Sequence, residues 1–165
     1  GSKIYGATTT GPHCVIGGEI KNTVIFGYSN KAHDGYLGDS VIGEWCNIGA
    51  GSSNSNVKNT GGDAAYDTGG TGNKLNAGQK AGLLMGDYSR CAINTSFHTA
   101  STVGVCCHIF GEITAPKFIP DFTWGQNRYE FDKAQKDIRN WKNMKGQILD
   151  DSEINNLKKL YQQKK

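Results

Sequence analysis

The sequence predicts an all-β fold, a left-handed parallel β-helix of hexapeptide repeats shaped as a triangular prism, with a C-terminal α-helical tail. Three observations support it: an aliphatic-glycine step with a period of six, the placement of the glycines, and a late change to helical spacing. Twenty-two of the 23 glycines precede Arg128. Glycine at this density indicates a chain that turns often and needs positive φ at many corners. We expect the β-helix to span residues 1–125 and a two-helix tail to span 126–165.

The six-residue period is the strongest signal. An aliphatic residue followed by glycine recurs at Ile42 and Ile48, and again at Met85 and Val103, which lie three hexads apart. Three six-residue strands per coil form a triangular prism in which each strand points one aliphatic side chain inward. Glycines at this spacing oppose a helix. A β-sandwich with glycine-rich turns is the alternative, but it would show a period of two.

Two polar stretches interrupt the repeat. The first lies near residues 30–35, and the second, rich in Gly, Asn, Asp and Thr, spans residues 57–81. A long excursion without structure of its own is usually functional or disordered. We expect the second stretch to reach toward a neighbouring subunit or to close over a cleft.

The tail is predicted to hold two amphipathic helices. The apolar residues of the first helix recur at spacings of three and four: Phe131, Ala134, Ile138, Trp141 and Met144. The second is predicted to begin at Asp150, with Glu153 placed as in a capping box. Its apolar residues are Ile154, Leu157, Leu160 and Tyr161. Both apolar stripes need a surface to cover, either the open end of the prism or a neighbouring chain.

Charge and cysteine content argue against several functions. Residues 1–127 carry a net charge of −1 and residues 128–165 a net charge of +4. Lys and Asp interleave along the tail, which favours a solvated helix surface over a nucleic-acid site. The five cysteines are odd in number and lack metal-ligand spacing, so we expect reduced, buried thiols in a cytoplasmic protein and no bound metal. The sequence has no apolar run of membrane-spanning length, so we expect no membrane partner.

His33 is the best candidate for a catalytic base among the four histidines. It lies in the first interruption, flanked by Lys31 and Asp34, whereas the other histidines lie within regular repeats. A histidine can take a proton from an ammonium or hydroxyl nucleophile when its second ring nitrogen is held. Glu19, about one coil earlier, is placed to hold it. The alternative is a solvated loop histidine without a role.

Two blocks of sequence carry a resemblance to a known family. Residues 30–39 read Asn-Lys-Ala-His-Asp-Gly-Tyr-Leu-Gly-Asp, and residues 46–51 read Cys-Asn-Ile-Gly-Ala-Gly. They resemble the acetyltransferase half of the bifunctional N-acetylglucosamine-1-phosphate uridylyltransferase/glucosamine-1-phosphate acetyltransferase, and still more the sugar nucleotidyltransferases related to it. The resemblance covers residues 3–165. It implies a homotrimer with clefts between the prisms and acetyl-CoA as the co-substrate.

The resemblance also implies roles for individual residues. His33 matches the general base, and Glu19 matches the carboxylate that orients it. The matches to sugar-phosphate contacts are Lys21, Tyr36 and Lys80, and Asn47 matches a polar contact to the acceptor sugar. The matches to the acetyl-CoA channel are Ala50, Asn56 and Gly111. The chain departs from the family at Val57, where a tyrosine is usual, and at Ile93, where a serine contacts acetyl-CoA.

The resulting hypothesis is a CoA-dependent acetyltransferase that acts on an amino-sugar 1-phosphate. His33 accepts the proton that the ammonium loses, and backbone N–H groups at residues 49–51 polarise the thioester carbonyl. A cysteine nucleophile is disfavoured, since no cysteine is placed at a plausible distance from a base. Acyl transfer to a hydroxyl is a weaker option. The nucleotidyltransferase activity would need an N-terminal domain absent from this sequence.

The alternative is a non-catalytic trimerisation and effector-binding domain of a sugar-1-phosphate nucleotidyltransferase. Such a domain would bind a sugar phosphate or nucleotide sugar without transferring an acyl group. The substitutions at Val57 and Ile93 favour it, because they remove polar groups from the cofactor side.

Overall fold

The computed structural model describes residues 1–69, 73–111 and 114–163. Short strands follow one another around three faces of a prism, and one circuit of three faces is called a coil. The strands are β1 (Lys3–Ile4), β2 (Thr9–Thr10), β3 (Val15–Ile16), β4 (Glu19–Lys21), β5 (Val24–Ile25), β6 (Asn30–Lys31), β7 (Tyr36–Gly38), β8 (Val41–Ile42), β9 (Asn47–Ile48), β10 (Ser53–Asn54), β11 (Ala64–Asp67), β12 (Lys74–Gly78), β13 (Leu83–Met85), β14 (Arg90–Cys91), β15 (Ser96–Phe97), β16 (Ser101–Val103), β17 (His108–Ile109), β18 (Phe118–Ile119), β19 (Thr123–Trp124) and β20 (Asn127–Arg128).

Parallel pairing between successive coils builds the three faces. The first face contains β1, β4 and β7 and continues through the pair β10 and β15. The second face contains six strands, ordered β2, β5, β8, β13, β16 and β18. The third contains β3, β6, β9, β14, β17 and β19, and ends with β20 antiparallel to β19. The predicted fold class, a hexapeptide-repeat β-helix with an α-helical tail, is confirmed.

The interior of the prism is a column of apolar side chains. Ile20, Ile42 and Met85 are almost wholly buried, and each lies at the inward position of its strand. In parallel register, residues of equal hexad position stack directly on one another. The sequence period of six therefore arises from one inward side chain per face.

The glycines have two structural roles. Corner glycines such as Gly18 adopt positive φ as predicted, but non-glycine residues such as Tyr28 and Trp45 also occupy left-handed corners. Gly49 is needed for another reason. A Cβ at Gly49 would lie 2.4 Å from the backbone of Ala92 on the next coil. At such positions glycine permits close packing between coils, and the expectation based on positive φ explains only part of the pattern.

The second interruption contains structure of its own. Strands β11 and β12 form an antiparallel hairpin within residues 57–81. Tyr66 of this hairpin packs with Ala81 and Ala100, and its hydroxyl donates to the Gly82 carbonyl. The described part of the hairpin therefore lies against its own prism.

The tail consists of α1 (Phe131–Met144) and α2 (Asp151–Gln162). The capping box of Asp150 and Glu153 is confirmed. The helices cover the edge between the second and third faces rather than the open end of the prism. Met144 is 76% exposed, so the predicted stripe ends before it, and the Lys142 side chain is buried instead. No helix in the described ranges is long and apolar enough to cross a membrane.

Polar contacts fix this tail to the prism. The Lys142 ammonium lies 2.5 and 2.6 Å from the two carboxylate oxygens of Glu153. The Tyr88 hydroxyl, which extends from the prism edge, donates to Glu153 at 2.5 Å. Burial and this carboxylate raise the pKa of Tyr88. In addition, the Arg90 guanidinium stacks over the Trp141 ring at 4.6 Å.

We expect acid to destabilise the protein through His108, which stacks on Trp124 with ring centres 4.7 Å apart. Burial, aided by Arg90, lowers the pKa of His108 to about 4 from the ordinary 6.5. Above pH 6.5, His108 is neutral in both the folded and the unfolded protein. Between pH 6.5 and 4, only the unfolded protein takes up a proton at this residue. Stability is therefore lost as the pH falls through that window, by about 2 kcal/mol after allowance for partial exposure.

Urea unfolding at pH 7.0 and pH 4.5 measures this loss. The His108→Gln variant should lose less stability between the two pH values than the wild type. The exposed His98 provides the control, since His98→Gln should lose as much as the wild type. An equal loss in wild type and His108→Gln would contradict the prediction.

Candidate functional site

His33 lies on a corner between the third and first faces, formed by residues 32–35 and called the His33 corner. It has the same length as the corners at 49–52 and 92–95. The exposed His33 side chain lines an open groove of about 350 Å³ with Asn47, Ala50 and Ile93. Stacking of successive coils thus brings together three of the predicted site residues: His33, Asn47 and Ala50.

A buried lysine holds the His33 corner from inside the prism. Lys31 is 1% exposed and occupies the inward position that Ile16 fills on the preceding coil. Its ammonium donates to the carbonyl of His33, to that of Asp34 at 3.1 Å, and to that of Gly17 at 3.5 Å. Burial lowers the pKa of Lys31. This role was not predicted from the sequence, although a lysine at an inward hexad position was a visible signal.

Glu19 and Tyr36 lie on the other side of the His33 corner. They are partners in the register of the first face and line a second groove of about 300 Å³ together with Lys3 and Asp34. The Glu19 carboxylate lies 4.0 Å from the Lys3 ammonium. Within the described residues it makes no hydrogen bond to His33, so a single chain does not join the two predicted catalytic residues.

The Tyr36 ring lies flat across Gly38. A Cβ at residue 38 would lie 2.2 Å from the Tyr36 hydroxyl oxygen, so the glycine is required for this arrangement. Gly38 is itself held by the buried Asn54, which accepts from its N–H at 2.9 Å and donates to its carbonyl at 3.0 Å. The tyrosine therefore rests on a fixed piece of backbone.

A chain of polar groups fixes the Tyr36 hydroxyl. Asn56 Nδ2 donates to Tyr36 Oη at 3.1 Å and to Asp39 Oδ2 at 2.5 Å. The second carboxylate oxygen of Asp39 accepts from Asn22 Nδ2 at 2.6 Å. Burial, followed by the nearby Asp39 and Glu19 carboxylates, raises the pKa of Tyr36. Asn56, which the resemblance assigns to the acetyl-CoA channel, here contacts a predicted sugar-phosphate residue.

The other predicted residues are more dispersed. The Lys21 ammonium lies 5.9 Å from the centre of the Tyr5 ring on the first face. Lys80 is exposed and precedes Ala81, whose N–H donates to the Asn56 carbonyl, so Lys80 lies at the Tyr36 end of the site. Gly111 adopts a φ of +92° on a later corner of the His33 edge.

The buried cysteines are poor nucleophiles. Burial raises the pKa of Cys46 to about 12 and that of Cys107 to about 11, so both thiols stay protonated at neutral pH. The described residues contain no group of three or more His, Cys, Asp or Glu side chains that could hold a metal ion. The exposed His33 therefore remains the strongest candidate for proton transfer.

Among known proteins, the chain is similar to several bifunctional GlmU proteins. No family model matches the chain. It is 29% identical to the bifunctional protein GlmU of Methanocaldococcus jannaschii over 112 residues, or 68% of this chain and 27% of that protein. For GlmU of Synechococcus elongatus the identity is 30% over 120 residues, which cover 72% of this chain and 23% of the relative. The chain resembles GlmU.

A shorter match has a higher identity. The chain is 45% identical to GlmU of Trichodesmium erythraeum over 55 residues, covering 32% of this chain and 12% of the relative. The predicted resemblance to the bifunctional uridylyltransferase/acetyltransferase is thus confirmed. In these three comparisons the chain spans less than a third of the relative's length.

Proposed function

We propose that this protein is a CoA-dependent acetyltransferase that acts on an amino-sugar 1-phosphate. The observation that carries the proposal is the exposed His33 on a corner held by the buried Lys31, in one groove with Asn47 and Ala50. The likeness to GlmU supports the substrate class. The structure supplies the rigid prism on which a base can be held in place.

His33 acts as the general base in the proposed reaction. Acetyl-CoA supplies the thioester carbon, a new N–C bond forms and the C–S bond breaks. Because an ammonium cannot attack, His33 accepts the proton that the amine loses and returns it to the departing thiolate. The corner at residues 49–51 offers backbone N–H groups to the carbonyl oxygen. This step needs no covalent bond between the protein and the acetyl group.

The phosphate end of the substrate is assigned to the first face. Lys21 and Lys80 supply positive charge, which a phosphate favours. Tyr36 supplies a hydroxyl on the side of the His33 corner that bears Glu19. The sugar ring would then bridge the corner, with its amine toward His33 and its phosphate toward Tyr36.

We further propose that a homotrimer completes the site. The grooves at His33 and at Tyr36 are both open at the surface, and Glu19 does not contact His33 within the described part of one chain. A neighbouring prism would close these grooves and exclude water from the reaction.

The free cysteines favour a reducing compartment, which is why we assign the protein to the cytoplasm.

A thiol-release assay tests the proposal. The protein is mixed with acetyl-CoA and glucosamine 1-phosphate, and free CoA thiol is followed with time. We expect thiol release that depends on both substrates. Release no faster than in a blank without protein would refute the acetyltransferase assignment.

Calorimetry separates this function from the non-catalytic alternative. Ile93, 67% exposed in the His33 groove, has no hydroxyl to offer acetyl-CoA, and this favours an effector-binding domain. Such a domain would bind a sugar phosphate or nucleotide sugar but not CoA. We expect the protein to bind both CoA and glucosamine 1-phosphate.

A further inference from the structure

We propose that Asp39 is a positioning residue which, through Asn56, makes the Tyr36 hydroxyl a hydrogen-bond donor to an anionic oxygen of the ligand. The inference rests on the proposed function for the nature of that ligand, a sugar phosphate. It assigns Asn56 to the sugar-phosphate end of the site instead of the acetyl-CoA channel.

Asp39 sets the orientation of the Asn56 amide. A carboxylate only accepts hydrogen bonds, so the Asn56 group that lies 2.5 Å from Asp39 Oδ2 must be the NH₂ group. The Asp39 carboxylate is fixed in turn by Asn22, which donates to its other oxygen at 2.6 Å. Asp39 thereby determines which end of the Asn56 amide faces Tyr36.

The Asn56 amide in turn sets the direction of the Tyr36 hydroxyl proton. Asn56 Nδ2 lies 3.1 Å from Tyr36 Oη and cannot accept, so the tyrosine oxygen accepts here. The hydroxyl proton must then point to another group. The ring is confined over Gly38, so the proton is presented beside the groove that contains Glu19 and Lys3.

A phosphate oxygen of the ligand is the partner that this proton fits. A phosphate monoester at neutral pH offers only acceptor oxygens, so it requires donors. A raised pKa keeps Tyr36 protonated and able to donate at neutral pH. If the Asn56 amide were reversed, the Tyr36 hydroxyl would donate to the Asn56 carbonyl. Its proton would then not be available to the ligand.

The backbone at Asp39 provides a matched variant. Asp39 adopts a φ of +51°, a left-handed conformation that asparagine also tolerates. Asp39→Asn therefore keeps the size and backbone of the residue while it gains an NH₂ group. That NH₂ can donate to Asn56, which turns the Asn56 carbonyl toward Tyr36.

Calorimetric titration with glucosamine 1-phosphate provides the test, using wild type, Tyr36→Phe, Asp39→Asn and the double variant. We expect each single substitution to weaken binding about tenfold, the loss typical of one hydrogen bond to a charged group. The double variant should bind no more weakly than Tyr36→Phe, because Asp39 acts only through the hydroxyl.

Side-chain amide spectra of ¹⁵N-labelled protein give a readout without ligand. We expect Tyr36→Phe to shift one of the two Asn56 NH₂ proton signals, and Asp39→Asn to shift both. Wild-type binding by Asp39→Asn, additive losses in the double variant, or an unchanged Asn56 spectrum in Asp39→Asn would each overturn the inference. Failure of the wild type to bind would instead overturn the proposed function and the ligand assigned to Tyr36, and the spectra would still decide the hydrogen-bond order.

Discussion

Replacement of His33 by alanine is expected to slow acetyl transfer by about 10²–10⁴-fold, the usual contribution of a positioned general base. The side chain is exposed and lies at a corner, so its removal leaves no cavity in the prism. Lys31 contacts the backbone carbonyl of His33 rather than its imidazole, so the corner keeps its shape in the variant. The loss should therefore appear in kcat, with KM for the sugar phosphate little changed.

The thiol-release assay at saturating acetyl-CoA measures this loss. His98→Ala is the matched control, because His98 is also exposed and its described hydrogen bond involves only the backbone carbonyl. We expect His98→Ala to keep wild-type kcat and both variants to unfold at the wild-type temperature. A His33→Ala enzyme with wild-type kcat would show that this histidine is only a solvated loop residue.

The β-helix was predictable because its interior imposes a simple pattern on the chain. Each strand points one side chain inward, so Ile42 and Ile48 lie one hexad apart and Met85 and Val103 lie three hexads apart. The docking position of the tail was not predictable in this way. Its surface is an edge of stacked left-handed corner residues, including Trp45 and Tyr88, whose spacing follows no aliphatic period.

The candidate site was predictable only at the level of position. Stacked coils bring His33 near Ala50, because residues at equal corners of successive coils are neighbours. Side-chain direction is set by local contacts that the period does not contain. Asn56 shows this, since its amide is turned by Asp39 toward Tyr36, and no spacing rule indicates that arrangement.

The buried Lys31 conflicts most directly with the expected pattern. Removing an ammonium from water costs several kcal/mol unless its donors are satisfied, and an aliphatic residue would fill the position without that cost. Three carbonyls satisfy the Lys31 donors, and two of them belong to the His33 corner. We interpret this lysine as a residue retained for the shape of the corner rather than for stability.

The second large effect is expected at the tail, where Glu153→Ala should lower the free energy of unfolding by about 3 kcal/mol, the low end for breaking a buried ion pair. The substitution removes the partner of Lys142, whose side chain is only 7% exposed, and leaves a buried ammonium with one carbonyl contact and the Trp45 ring at 5.2 Å. It also removes the acceptor of the Tyr88 hydroxyl.

Urea unfolding followed by tryptophan fluorescence reports this loss, since Trp45 and Trp141 lie where the tail meets the prism. Glu130→Ala is the matched control. Glu130 pairs with Lys133 at 2.8 Å, but both side chains are about two-thirds exposed, and such a surface pair contributes less than about 1 kcal/mol. Equal losses for the two variants would show that Lys142 finds another partner or reaches water, and that tail docking depends on the apolar cluster alone. A loss confined to Glu153→Ala would show that the Lys142–Glu153 pair and the Tyr88 hydroxyl hold the tail on the prism edge.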